Sequence, residues 1–398
     1  MHRKNIIRYG TEVFGREHSY YCIERRYNEF GDRDCGEDGF NDCWVCERKK
    51  NEYIHEWRED MQDRYSRQVI LPNIGEEGQK TLLKSRIAII GCGALGTVAA
   101  NNLVRAGVGK ISIIDRDFVE LNNLQRQILF DEDDIGIPKA VAAAEKLKRV
   151  NSDVEIEAMV KDLNHMNAEK IMSGVDLVLD GTDNMQTRFL INDVCVESKI
   201  PWIYTAAVGT YGMMMTIVPG RTPCFRCFLP DVPEPGSIPT CDTAGVLNTI
   251  PVIIASIEST EAIKILLKEN ITTNAESNLI FYDVWSNTFE KVTEMRDKRC
   301  RCCVEHKFDF LNAAKKEIIT SLCGRNAIQI TPAKSADISF KSLAERLKRS
   351  GEVRFNNFIL VFKERDKEIS LFKDGRAIIK GTDDEKVARS LYARYIGI

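Results

Sequence analysis

The chain has 398 residues, 43% of them hydrophobic and 29% charged, with a formal net charge of −3 at neutral pH; this is the composition of a folded globular protein with room for one large domain and smaller additions. So small a net charge excludes a bulk electrostatic pull toward nucleic acid or an anionic membrane, and no apolar run approaches the roughly 18 residues that span a bilayer. Thirteen cysteines, odd in number and partly in C-x-x-C pairs, fit metal ligation or thiol chemistry in a reducing compartment better than a secreted disulfide framework.

Residues 1–63 hold six Val, Ile or Leu against ten aromatic and 26 charged residues. That is too little aliphatic surface for a core of their own, so this segment reads as a poorly defined extension of unknown role. Its opening, Met1 to Arg8, has charges but no apolar stretch behind them. It is therefore not read as a signal peptide, and a cytoplasmic protein is expected. Cys43 and Cys46, with Cys22 and Cys35, could bind a second metal, although their spacing matches no familiar finger.

From residue 64 to 305, β-branched runs alternate with helical stretches. Strands are predicted at 86–90, 111–114, 154–158, 175–180, 202–206 and 213–218, and helices at 95–106, 139–150 and 252–267. That alternation predicts an α/β fold, a Rossmann-like, doubly wound, mostly parallel sheet. Residues 306–398 read as a small α+β module, with helices at 342–349 and 385–395 and strands at 357–362 and 369–372. The module carries 19 Lys or Arg against 12 Asp or Glu, so it is basic beside an acidic remainder. It is expected to steer an acidic partner without taking part in the chemistry, the alternative being a solubilising or dimer-stabilising appendage.

The chemistry concentrates in the middle segment. Gly91-Cys92-Gly93-Ala94-Leu95-Gly96 follows a predicted strand and opens a predicted helix. Glycines there permit a tight turn and close approach of backbone to phosphate at a helix N-terminus. Asp115 ends the next strand, 19 residues after Gly96, where a carboxylate can take ribose hydroxyls. This fingerprint alone suits NAD, FAD and ATP equally. Asn122, Asn123 and Arg126 then supply amides and a guanidinium for ribose and phosphate. Lys139 stands at a helix start, as a phosphate ligand or as a surface ion-pair lysine. Asp183 and Asn184 follow the strand ending at Asp180, where Asp183 can hold Mg²⁺ between phosphates or merely cap a helix. Hydride transfer needs no such Lys, Arg and Asp set, whereas phosphate chemistry does. An NAD(P)-dependent oxidoreductase therefore rests on the glycine loop and Asp115 alone, and a non-catalytic module would have little use for Arg67, Arg126, Lys139 and Asp183.

Arg64-Tyr65-Ser66-Arg67-Gln68, the glycine loop, Asn123-Leu124-Gln125-Arg126-Gln127, Gly181-Thr182-Asp183-Asn184 and two C-x-x-C pairs occur in this order. Together they resemble the MoeB/ThiF family of ubiquitin-activating-like adenylyltransferases over about residues 64–305. The resemblance implies a homodimer with one active site per protomer. Asp115 would bind ribose, Asn123, Arg126 and Lys139 the ribose and phosphates, and Asp183 Mg²⁺. Arg67 would reach the γ-phosphate in the partner's site. Ala94 stands where many members have glycine, a change that ordinary dihedrals would tolerate.

Cys224 and Cys227, with Cys300 and Cys303, have the spacing of a four-thiolate zinc site, a structural use that closes a long loop. Cys302 competes with Cys303, but only Cys303 keeps the two-residue gap. Cys241, in a polar loop, aligns with a cysteine that some relatives use for a covalent link to the carrier; an unreactive loop thiol is the alternative. Cys92 and Cys195 read as packing residues. The activity implied is ATP- and Mg²⁺-dependent adenylation of the C-terminal glycine of a ubiquitin-like sulfur carrier ending in Gly-Gly. The sulfur would come from a separate donor protein, for cofactor biosynthesis or tRNA thiolation, with no direct nucleic-acid contact. Adenylation of another carboxylate, such as a peptide C-terminus or a tRNA-linked acid, is the alternative.

Overall fold

Side chains alternate across a strand, and the strand Arg86–Ile90 (β1) uses both faces. Ile87 and Ile89 enter one buried cluster while Ala88 and Ile90 enter another. A strand apolar on both faces belongs in the middle of a sheet covered by helices on each side, and that is where the computed structural model has it. The model describes residues 63–234, 237–268, 276–313, 318–322, 326–332 and 338–397. Cys22, Cys35, Cys43 and Cys46, with their proposed second metal, lie outside the described residues. The chain divides into one unit, Met1–Arg67, and a second, Gln68–Ile398.

In the second unit, Gly75–Lys84 (α1) leads into β1, and Ala94–Ala106 (α2), Lys110–Ile114 (β2), Lys139–Val150 (α3) and Glu155–Met159 (β3) follow. Then come Leu177–Asp180 (β4), Met185–Ser198 (α4), Trp202–Val208 (β5) and Tyr211–Ile217 (β6). Cys241–Ala244 (α5), Thr249–Leu266 (α6), Glu276–Asp283 (β7) and Thr288–Met295 (β8) complete the layer. The sheet runs β3-β2-β1-β4-β5-β6-β7-β8. Its first five strands are parallel and the last three join antiparallel. Residues of α2, α3 and α6 form the core on one face, and α4 with the cysteine segments forms it on the other. Helix α2 stops at Gly107, whose left-handed backbone (φ +82°) returns its N–H to the carbonyls of Leu103 and Val104, a glycine-terminated end. Among the described residues no helix is long and apolar enough to cross a membrane.

The C-terminal module is a six-stranded antiparallel sheet. Its strands are Ile318–Leu322 (β9), Ala327–Thr331 (β10), Glu352–Phe355 (β11), Ile359–Glu364 (β12), Lys367–Phe372 (β13) and Ala377–Lys380 (β14), in the order β11-β12-β13-β14-β10-β9. Helices Phe340–Leu347 (α7) and Glu385–Tyr395 (α8) cover one face, packing on Ile328, Ile330, Phe362, Ile369, Leu371 and Ile379. Alternate residues of β10, β13 and β14 face the segments that follow β2 and β3. Gln329 bonds Asp162, Phe372 meets Phe118 with ring centroids 5.4 Å apart, and Lys380 pairs with Glu120 at 3.2 Å.

Two differences from the sequence reading have physical causes. The chain does not leave the first domain at residue 305, because Leu311 is buried in its core and Phe308 and Phe310 pack on it. The Phe310 N–H donates to Asp193 at 2.8 Å and Arg226 pairs with Asp309 at 3.0 Å. Nor did the sequence reading place α4, β7 or β8. Helix α4 buries Arg188, Asn192 and Asp193 among its apolar residues and so has no polar stripe to mark its period.

Candidate nucleotide site and cysteine cluster

Between β1 and β4 the strand order reverses, and the crevice outside their carboxyl ends is where open α/β sheets bind ligands. Three glycines make that crevice. The Gly91 N–H donates to the Ile114 carbonyl at 2.7 Å and the Gly181 N–H to the Ile90 carbonyl at 2.8 Å. A Cβ on Gly96 would stand 2.0 Å from the Gly91 oxygen, and one on Gly181 would stand 2.4 Å from the same oxygen. Gly91 itself needs glycine twice over, with φ at +91° and a virtual Cβ 2.7 Å from the Gly181 backbone. Gly93 differs, since its virtual Cβ meets nothing closer than 3.8 Å. Ala94 is the first residue of α2 and is not among the positive-φ residues, so its methyl costs the loop nothing.

Asp115 follows β2 and folds back onto this loop. One carboxylate oxygen accepts the Cys92 N–H at 2.6 Å and the other accepts the Asp117 N–H at 2.7 Å. Burial raises its pKa, and the nearby Lys139 charge opposes the rise. Lys139 opens α3 and is only 5% exposed, so it is not a surface lysine, although it keeps an ion-pair partner. Its ammonium lies 3.7 Å from Asp117, and its N–H donates to the Asp117 carbonyl at 2.9 Å. The buried Cys92 thiol is pushed well up by desolvation and by Asp115, as suits a packing residue.

The 122–126 segment is a turn over this corner. Asn123 is buried, accepts the Glu120 N–H at 3.1 Å and donates to the Asn122 side chain at 2.9 Å, so its amide already shapes the turn. Arg126 donates to the Asn122 carbonyl at 3.0 Å. Gln127, singled out only as part of a motif, is buried beside Gly93, and its Oε1 has no partner among the described residues.

Asp183 lies exposed three residues beyond β4. The helix cap that competed for it belongs to Asn184, whose Oδ1 accepts the Thr187 N–H at 3.0 Å. Behind the loop is a buried pair that the sequence reading missed. Asp180 is fully buried, receives the Arg188 Nε at 2.9 Å, and accepts both the N–H and the hydroxyl of Thr182. Arg188 also donates to the Thr182 carbonyl at 2.6 Å. An unpaired buried charge is strongly destabilising, so this pair fixes the path of residues 180–183. The available signal was an acid closing an apolar strand with an arginine eight residues later.

On the opposite face, Cys224, Cys227, Cys300 and Cys303 place their sulfurs within 4.8 Å of one another. The Cys224–Cys300 and Cys227–Cys303 separations are both 3.5 Å. Four sulfurs arranged tetrahedrally about a zinc, at bonds of about 2.3 Å, would lie roughly 3.8 Å apart, so the cluster fits a metal of that kind. Cys302 is not in it. It is buried and accepts from Asn192 at 3.2 Å. Cys195 is buried in α4. Cys241 opens α5, half-buried, with its sulfur 3.3 Å from the Ala207 carbonyl in β5. Its segment joins the same carboxyl edge through the Gly209–Val246 bridge and the Gln125 amide, 3.5 Å from the Val246 carbonyl. Arg67 lies in the helical turn Ser66–Val69 and ends the N-terminal unit.

A glycine-packed crevice at the switch point of a doubly wound sheet, flanked by a buried lysine and strand-end carboxylates, defines a nucleotide-binding α/β protein. Residues 65–304, more than half the chain, match the model of the ThiF family, and the chain belongs to that family. It is 40% identical over 342 residues to the sulfur carrier protein ThiS adenylyltransferase of Bacillus subtilis, covering 85% of this chain and 100% of that protein. Only 64 residues precede the family segment, so this longer match extends into the C-terminal module. The SAMP-activating enzyme E1 of Haloferax volcanii is 41% identical over 247 residues, covering 62% of this chain and 90% of its own. The fold resembles that of Escherichia coli MccB with ATP, with a TM-score of 0.54 at 21% identity over 72% of this chain and 85% of that one.

Proposed function

We infer that this chain is an adenylyltransferase that uses ATP and Mg²⁺ to activate the C-terminal glycine carboxylate of a ubiquitin-like sulfur carrier ending in Gly-Gly. What supports this reading is that Asp115 and the buried Lys139 border one glycine-packed crevice, with Asp183 two residues beyond its Gly181, in a chain that covers the whole length of a sulfur carrier adenylyltransferase. The backbone of residues 91–96 and the N-terminus of α2 take phosphate, Asp115 takes ribose, and Asn122, Asn123 and Asn184 border the nucleotide. Lys139 and Arg126 offset phosphate charge. Asp183, exposed where the crevice opens, would hold Mg²⁺, which when bound supplies further charge neutralisation.

The carrier's tail enters this crevice and its carboxylate attacks the α-phosphorus. A new oxygen–phosphorus bond forms, the α–β bridge breaks, and pyrophosphate leaves. A carboxylate is already nucleophilic at neutral pH, so the chain needs no general base; it positions the reactants and stabilises charge. Sulfide-level sulfur from a separate donor protein then attacks the acyl carbon of the adenylate, a carbon–sulfur bond forms, and AMP leaves. Where the carrier is first linked covalently, Cys241, on the same sheet edge, takes the acyl group as a thioester with loss of AMP, and the donor's sulfur then displaces the Cys241 thiolate. The active form is a homodimer in which Arg67 reaches the γ-phosphate in the partner's site. Cys224, Cys227, Cys300 and Cys303 would hold a zinc, which would tie the far face together. The test is ATP–pyrophosphate exchange with a ThiS-type carrier and with the same carrier lacking its last glycine. Exchange is expected only with the intact tail. Exchange that ignores the tail, or none with any Gly-Gly carrier, rejects the reading.

A further inference from the structure

We propose that Arg376 of the C-terminal module is a positioning residue for ATP, holding the peptide group that orients the Asp115 carboxylate. This rests on the reading of Asp115 as the ribose ligand. Arg376 is 1% exposed, and its guanidinium lies over the Phe372 ring, 3.2 Å from the centroid. Its Nη2 donates to the Arg116 carbonyl at 2.8 Å, across 260 positions of chain. The carbonyl of Arg116 and the N–H of Asp117 are two ends of one planar peptide group, and the Asp117 N–H is the donor to Asp115 Oδ1 at 2.7 Å. A rotation of that plane breaks both bonds together.

The same corner is tied a second time. Arg376 Nη1 donates to Gln329 at 3.4 Å, Gln329 donates to one oxygen of Asp162 at 2.7 Å, and Arg116 donates to the other at 2.8 Å. Packing does not call for an arginine here, since an apolar side chain of similar size fills such a site without the desolvation cost of a charge. What the arginine adds is a directed donor aimed at the turn that follows β2. Part of the module's positive charge therefore faces inward, and the module is built into the nucleotide site.

The experiment compares Arg376→Leu, Arg376→Lys and Phe362→Leu, the last a module-core change far from the turn. Each is assayed by carrier-dependent pyrophosphate exchange and by calorimetric binding of ATP. Arg376→Leu is expected to raise the KM for ATP on the order of tenfold, with the carrier's KM unchanged. Arg376→Lys, which keeps a charged donor group but loses the planar fork, should fall between it and the parent. Phe362→Leu should lower the melting temperature while leaving the KM for ATP alone. If the Arg376 variants bind ATP as Phe362→Leu does, the proposal is wrong; if Arg376→Leu does not fold, Arg376→Lys decides on the same criterion. Asp115→Ala separates the two layers. If it raises the KM for ATP while the Arg376 variants do not, the positioning role alone fails. If it leaves the KM unchanged, the ribose reading fails and takes the proposal with it.

Discussion

Adding one methyl at Gly96 tests the packing of the crevice. The new Cβ would lie 2.0 Å from the Gly91 carbonyl oxygen and 3.0 Å from its carbon, with Ile89 at 3.4 Å. Real Cβ atoms essentially never come closer than 3.0 Å to such atoms, so about 1 Å of separation must be found by moving backbone. Gly91 cannot swing aside cheaply, because its N–H is bonded to Ile114 and its other side faces Gly181. Overpacking of this kind costs about 1–3 kcal/mol, or several degrees of melting temperature at roughly 2–4 °C per kcal/mol. If the loop carries phosphate as proposed, a displacement of about 1 Å in it also lowers turnover by up to about a hundredfold. Gly93→Ala is the matched control, since its Cβ meets nothing nearer than 3.8 Å. Gly93→Ala should melt with the parent and differ, if at all, only in its KM for ATP. Calorimetric melting and pyrophosphate exchange read the two effects separately. A Gly96→Ala protein with parental melting and parental exchange would show that the three backbones are not in contact as described.

Asp183→Ala should abolish pyrophosphate exchange with the melting temperature intact, and retention of more than about a tenth of the activity contradicts the metal role. Mixing inactive Arg67→Ala with inactive Asp183→Ala should restore exchange through mixed dimers; no recovery after verified subunit exchange places both residues in one protomer's site. Elemental analysis of gently purified protein should find about one zinc per chain, and chelation should lower the melting temperature. Protein isolated free of metal but fully stable refutes the zinc assignment.

What could be read from the sequence followed regular periods or fixed spacings. The helix Lys139–Val150 and the strand Arg86–Ile90 stand where the pattern put them, because one repeats at the helical period and the other is a short β-branched run. The two C-x-x-C pairs, far apart in sequence, lie together in one cluster that includes Cys303 and leaves Cys302 bonded to Asn192. Strands β7 and β8 were missed for an opposite reason. Strand β8 is almost wholly exposed, so its Glu and Lys residues hide any alternation. The parts of the site that went unseen, Asp180, Arg188 and Arg376, do their work through partners distant in sequence. An acid and an arginine eight positions apart look ordinary until the strand and helix between them are folded face to face. Nothing local in residues 306–398 announces that Arg376 ends on the Arg116 carbonyl.

The cysteine cluster joins positions 76 apart, and between them run Cys241, α6, β7 and β8. With a metal seated there, both ends of that excursion are clamped, so the surface turns within it become places where length is nearly free to vary. Closure entropy grows only with the logarithm of loop length, so enlarging the excursion by half would cost roughly 0.4 kcal/mol. Insertions or trimmed turns within the excursion would therefore leave the parallel strands beneath undisturbed. A single clasp of this kind lets the outer turns differ in length over a fixed sheet.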